Sequence, residues 1–262
     1  MRKVLVIFAW SFFLLGSIVL LGFSELDYHQ ILIKDLRIDI DKSNGHSFIT
    51  KSQIEDYLND KGFQLKGDNV HLPNLKEIEK AIQKLPATKN VEVYAYNNGE
   101  LNIKITQRNP IARVLLNNGY LSYYIDEDGT IMSLSDTYVA RVPVFSGNIQ
   151  YGDHYKSIKD LSIHDPSDES IDEIFQLANL INKDQFFKSQ IVQVFVNKQG
   201  EYELIPRVGK QRIIFGNINE AKEKLIRLKE FYTNRNSISV KELNMYDTLN
   251  LKYSNQIVCS KR

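Results

Sequence analysis

The chain has 262 residues, with 33 Lys and Arg against 32 Asp and Glu, for a formal net charge of +1. Nothing in so even a balance suggests a nucleic-acid partner, which demands a concentrated basic surface. A single cysteine, Cys259, excludes an intrachain disulfide and any multi-cysteine metal site, so the fold rests on its apolar core.

Residues 1–3 read as a short basic tail in the cytoplasm, with Arg2 and Lys3, and the run Val4 to Phe23 carries no charged side chain. A helix of that length spans roughly 30 Å, the thickness of a bilayer core. In lipid the backbone has to satisfy its own hydrogen bonds, which a helix does. The run therefore predicts a single transmembrane helix over 4–23, with Val4, Trp10, Phe12, Phe13 and Phe23 facing lipid. Glu25 and Asp27 follow it, so the charge asymmetry puts the N-terminus inside and the remainder outside. A cleaved secretory signal is the competing reading, but its apolar core is shorter and ends at small residues. Both readings export the rest of the chain.

Leu36, Ile38 and Ile40 alternate with Arg37, Asp39 and Asp41, the period of a half-buried strand. Thr50 followed by Gln53 is a capping box opening a helix with Ile54, Tyr57 and Leu58 on one face and Lys61-Gly62 as its stop. Asn74 with Glu77 caps a second helix carrying Ile78, Ala81, Ile82 and Leu85, which Pro86 ends. Two alternating runs, Val91 to Tyr96 and Leu101 to Ile105, flank Asn97-Asn98-Gly99 as a hairpin. Residues 33–107 thus read as β-α-α-β-β, one small sheet with two helices on a face.

Arg108-Asn109-Pro110 is a junction, since Pro forces its predecessor towards extended backbone. Beyond it, Ile111 to Leu116, Tyr120 to Ile125 and Thr130 to Leu134 predict short strands joined by turns. Val142 to Phe145 is expected at a sheet edge because of Pro143. Asp165-Pro166 predicts a helix start, and Ile171, Ile174, Phe175, Ala178 and Ile181 carry the helical period. Strands follow at Ile191 to Val196, Tyr202 to Pro206 and Arg212 to Phe215. A helix from Asn219 to about Thr233 shows Ala221, Leu225, Leu228 and Tyr232 on one stripe. Its other face mixes charges, Glu223 with Arg227 among them, which reads as solvated surface. Val240 to Met245 and Leu249 to Cys259 are expected to be extended. The fold class is therefore α+β: a spanning helix, the small domain, and over 108–262 a larger mixed sheet with two flanking helices.

A search for chemistry is negative. The chain contains no G-x-S-x-G, no H-E-x-x-H and no G-x-G-x-x-G, and no Ser stands three residues before a Lys. Gly62 and Gly67 have phosphate-loop spacing, but Asp68 stands where Lys is required. Asp153-His154 and His164-Asp165 could gather a metal, yet read more simply as a polar loop. Asp126, Glu127 and Asp128 before Gly129 read as a turn rather than a calcium site. Tyr123, Tyr124, Tyr151 and Tyr155 read as packing residues rather than a recognition surface.

The succession of parts, with Gln107-Arg108-Asn109-Pro110-Ile111-Ala112, the turn Asp126 to Thr130, Val142-Pro143 and the closing Leu249 to Gln256, resembles the FtsQ/DivIB family. The resemblance implies a POTRA domain over 33–107 and a β domain over 108–262, and a non-enzymatic scaffold of the division septum. It implies FtsB-like and FtsL-like bitopic partners and the septal peptidoglycan synthase complex, with no cofactor, nucleic acid or small-molecule substrate. It also implies a partner strand added at the end of the β domain, carried onto Leu249, Leu251, Lys252, Tyr253 and Gln256. Tyr253 would be the aromatic anchor and Lys252 the partner of an acidic residue. Two departures from the family are the short tail and the end of the chain soon after Tyr253. Two other readings stay open: a POTRA-type chaperone for outer-membrane assembly or secretion, and a membrane-anchored hydrolase using the His and Asp pairs.

Overall fold

A computed structural model of the protein describes residues 10–18, 32–42, 45, 47–65, 73–116, 121–149, 169–233 and 240–262. The chain divides into two compact units, Met1–Gln107 and Arg108–Arg262.

Within the first unit, residues 10–18 are helical. Trp10 and Phe13 meet edge to face at 6.4 Å, and the Ser17 hydroxyl donates back to the Phe13 carbonyl at 2.9 Å. Val4, Phe23 and the rest of the 4–23 run lie outside the described residues. Among the described residues no helix is long and apolar enough to cross a membrane.

The small domain runs β1 (Asp35–Asp41), α1 (Lys51–Asp60), α2 (Leu75–Gln83), β2 (Thr88–Ala95), β3 (Glu100–Gln107), with sheet order β1-β3-β2. β1 lies parallel to β3, matching Ile38 to Ile103 and Ile40 to Ile105, while β2 is antiparallel, matching Val91 to Ile105. These apolar rows close on Ile54, Leu58, Ile78 and Ile82, each fully buried. Both arms of the capping box form: the Gln53 amide donates to the Thr50 hydroxyl at 3.3 Å, and the Thr50 amide to Gln53 Oε1 at 2.9 Å. α1 ends in a Schellman motif, in which Phe63 N–H donates to the Leu58 carbonyl and Gly62 takes φ +86°. The hairpin turn is equally local. Gly99 sits at φ +90°, and a Cβ there would meet the Leu32 carbonyl at 2.3 Å, so the close approach requires glycine.

The large domain contains one nine-stranded sheet. Its strands are β4 (Pro110–Leu116), β5 (Leu121–Asp126), β6 (Ile131–Ser133), β7 (Val144–Gly147), β8 (Ile191–Val196), β9 (Tyr202–Pro206), β10 (Arg212–Gly216), β11 (Tyr246–Asn250) and β12 (Val258–Lys261). Their order is β12-β11-β10-β9-β8-β7-β4-β5-β6. Helical segments intervene in two of the parallel pairings: α3 (Glu169–Lys183) and α4 (Gln185–Gln190) lie between β7 and β8, and α5 (Ala221–Thr233) and α6 (Val240–Leu243) between β10 and β11, whereas β5 and β6 lie between the parallel strands β4 and β7. One core joins the inner sheet face to Ile174, Leu177, Ile181, Leu225 and Leu228.

Three expectations are corrected. The Val142 to Phe145 segment is not at an edge: β7 lies between β4 and β8. Pro143 precedes the strand and needs only to accept, which it does from Arg113 N–H at 3.0 Å. Val240 to Met245 is not extended, because Val240 and Leu243 have the spacing of one helical turn, and Leu243 is buried. Leu249 to Cys259 is not one strand. The chain turns after Asn250, whose Oδ1 accepts from Lys252 N–H at 3.0 Å, and reverses through Asn255 at φ +60°. Besides the two expected helices, α4 was missed; Asp184 caps it by accepting from Phe186 N–H at 2.9 Å.

Candidate functional site

The end of the large sheet is built from β10, β11 and β12. β11 runs parallel to β10, matching Ile213 to Leu249, and the Leu251 amide continues the ladder to the Ile214 carbonyl at 2.9 Å. β12 returns antiparallel, matching Leu249 to Cys259 and Asn250 to Val258, and the Thr248 and Ser260 hydroxyls meet at 2.6 Å. β12 is the last strand in the order, so among the described residues one of its sides carries no further strand of the sheet. An edge of this kind offers main-chain donors and acceptors to an incoming segment.

The residues singled out in the sequence divide by burial. Leu249 and Leu251 are both 0% exposed and belong to the core, so they hold the strand in place without reaching a surface. Tyr253 is 50% exposed at the turn that follows, Val258 on β12 is 45% exposed, and Gln256 is exposed between them. Cys259 is partly buried against the core.

Lys252 is not an open cation. Its ammonium donates to Glu201 Oε1 on the loop before β9, and this bond, set against some desolvation, holds the Glu201 carboxyl below its ordinary value. The lysine stem lies over Gly216 at the end of β10, where φ is +78° and a Cβ would come within 2.8 Å of Lys252 Cγ. Glycine there lets the stem cross the sheet end. A partner's acid reaches Lys252 only in competition with Glu201.

Sequence reasoning missed Arg227. The face that carries Glu223 and Arg227 reads as solvated surface, but Arg227 is partly buried and its Nη2 donates to the Leu251 carbonyl at 3.4 Å. Nothing in the helical spacing signals this, because the acceptor lies 24 residues away. Lys224, one turn earlier, is 5% exposed and donates to the Asn217 carbonyl at 2.8 Å, over the Phe215 ring at 5.1 Å. Burial is the main cause that lowers its ammonium from the ordinary lysine value.

The other candidates resolve as structure or fall outside the description. Tyr123 and Tyr124 are buried in the sheet, while Tyr151, Tyr155, His154 and His164 lie outside the described residues. Among the described residues no group of His, Cys, Asp and Glu could hold a metal. Asp126 organises a turn, accepting from Thr130 N–H at 2.7 Å and Asp128 N–H at 3.0 Å.

Residues 109–260 match the family model described as FtsQ/DivIB, C-terminal related, and residues 32–106 match the POTRA-like domain. A comparison with curated proteins finds no match. The first of these matches covers more than half of the chain, and the two follow each other in the order that the fold displays. The chain belongs to the FtsQ/DivIB-related family of cell-division scaffold proteins, with a POTRA-like domain ahead of the family's C-terminal domain.

Proposed function

We propose that this chain is a non-enzymatic divisome scaffold of the cytoplasmic membrane that captures a bitopic partner of the FtsB type by strand addition at the β11–β12 end of the large sheet. The observation that carries the reading is β12 itself, a terminal strand with an exposed Val258 and, on the turn before it, a half-exposed Tyr253. Main-chain pairing at such an edge supplies affinity, and an aromatic beside it supplies selection. Leu249 and Leu251 keep the accepting strands in register from below, Tyr253 and Gln256 meet the partner, and Lys252 borders the interface while paired with Glu201. FtsL-like proteins and the septal peptidoglycan synthase complex are drawn in through that partner.

The anchor belongs to the same proposal. A helix over 4–23 spans the inner membrane, with the tail in the cytoplasm and both domains in the periplasm at the septum. The exposed Trp10, Phe12 and Phe13 on residues 10–18 suit a lipid environment.

Depleting the protein tests the role: long filaments with stalled septa are expected, whereas normal division with defective outer-membrane proteins would overturn it in favour of strand chaperoning. Titrating the FtsB-like ectodomain against wild type and Tyr253→Ala tests the site. Weaker binding by the variant, with its fold unchanged, is expected; equal affinity removes Tyr253 from the interface.

A further inference from the structure

Arg227 stands at the proposed strand-accepting end with most of its hydrogen-bonding capacity unspent. A guanidinium carries five N–H donors and cannot shed its charge. Among the described residues it makes one hydrogen bond, to the Leu251 carbonyl at the long distance of 3.4 Å. Its Nε is buried with no hydrogen-bond partner among the described residues. A buried donor left in that state is costly, and the cost falls when an acceptor arrives.

Three cations converge here and two are already satisfied. Lys252 pairs with Glu201, and Lys224 donates to both oxygens of Asn217, at 2.8 and 3.3 Å. Burial is the main cause that lowers the Lys224 ammonium, and the nearby charges are of both signs, Glu220 and Glu201 against Arg227 and Lys252. Of the three, Arg227 is the cation whose donors stay largely unspent among the described residues. A carboxylate matches a guanidinium fork in shape and charge, whereas a neutral acceptor matches neither.

We propose that Arg227 receives an Asp or Glu side chain of the partner strand, placed next to the residue that packs on Tyr253. The proposal deepens the scaffold reading and rests on it. It moves the charge selection from Lys252, which stays with Glu201, to a helix residue that the strand pattern does not mark. The partner it fits is a segment that alternates apolar residues and carries an acid near its apolar anchor.

The experiment is calorimetric titration of the full-length protein in detergent with the ectodomain of the FtsB-like bitopic protein of the same genome. Arg227→Gln is expected to weaken binding about 30-fold or more, mainly through faster dissociation. Arg227→Lys keeps the charge and most of the stem, so it folds as wild type does, yet it loses most of that affinity because it lacks the fork. Exchanging the partner's acid for Arg and combining it with Arg227→Glu restores binding. Affinity of Arg227→Lys and Arg227→Gln equal to wild type, while Tyr253→Ala still weakens binding, overturns the Arg227 assignment alone. Absence of binding by the wild type overturns the scaffold reading beneath it.

Discussion

Arg108 Nη1 donates to Asp126 Oδ2 at 2.8 Å, and the two side chains are only 18% and 0% exposed. The pair ties the first residue of the large domain to the turn between β5 and β6, whose amides occupy the other carboxylate oxygen. Asn109 adds a second tie, donating to Glu127 Oε2 at 2.9 Å.

A buried pair is most damaging when half of it is removed, since the remaining charge is left uncompensated. Arg108→Ala is therefore expected to destabilise the large domain by about 3–5 kcal/mol, and Arg108→Met with Asp126→Leu by much less. Urea denaturation of the three proteins checks it. A double variant as unstable as the single one would contradict the argument.

At the start of α1, Thr50→Ala removes both the side-chain acceptor and the anchor of Gln53. A loss of about 1 kcal/mol is expected, confined to the small domain. Hydrogen exchange should speed up in α1 and leave β8 to β10 unchanged.

Asp184 links two helices, capping α4 while accepting from Lys229 Nζ of α5 at 2.7 Å. The Lys229 ammonium holds its carboxyl below the ordinary value of 3.8, against some desolvation. Because the folded value is the lower one, the link is fully stabilising above the unfolded value and fades as pH falls through the folded one. Lys229→Met should therefore flatten the stability curve as pH falls below the ordinary carboxylate value of 3.8, with a small loss at neutral pH because the pair is partly exposed. Denaturation midpoints across that range decide it. An acid limb as steep as that of the wild type would count against the pair.

Gly216→Ala forces a side chain into left-handed backbone and against the Lys252 stem. The expected cost is about 1–2 kcal/mol of stability. Partner affinity should fall beyond that, because Lys252 and Tyr253 are displaced together. Unchanged affinity would mean that the turn after β11 does not form part of the interface.

Much of the small domain was legible because its determinants are local. A capping box at Thr50, an Asn cap at Asn74, a Gly stop and an Asn-Gly hairpin each act within a few residues, and the positive φ angles of Gly62 and Gly99 belong to the last two. Strand existence in the large domain was legible for the same reason, since Ile191 to Val196 and Tyr202 to Pro206 carry their own β signals. The end of the chain was not: Asn250 and Asn255 break a run whose composition still reads as strand, so β12 was merged with β11.

The sequence by itself determined the family, the order of elements in the small domain, and the catalytic motifs that the chain lacks, because these depend on residue type and spacing along the chain. Only the tertiary structure decided that β7 is internal, that Leu249 and Leu251 are core, that Glu201 claims Lys252, and that Arg227 turns to Leu251. Each of those joins groups far apart in sequence, where burial and pairing across the sheet outweigh local preference, and no periodicity records which distant acceptor a side chain meets.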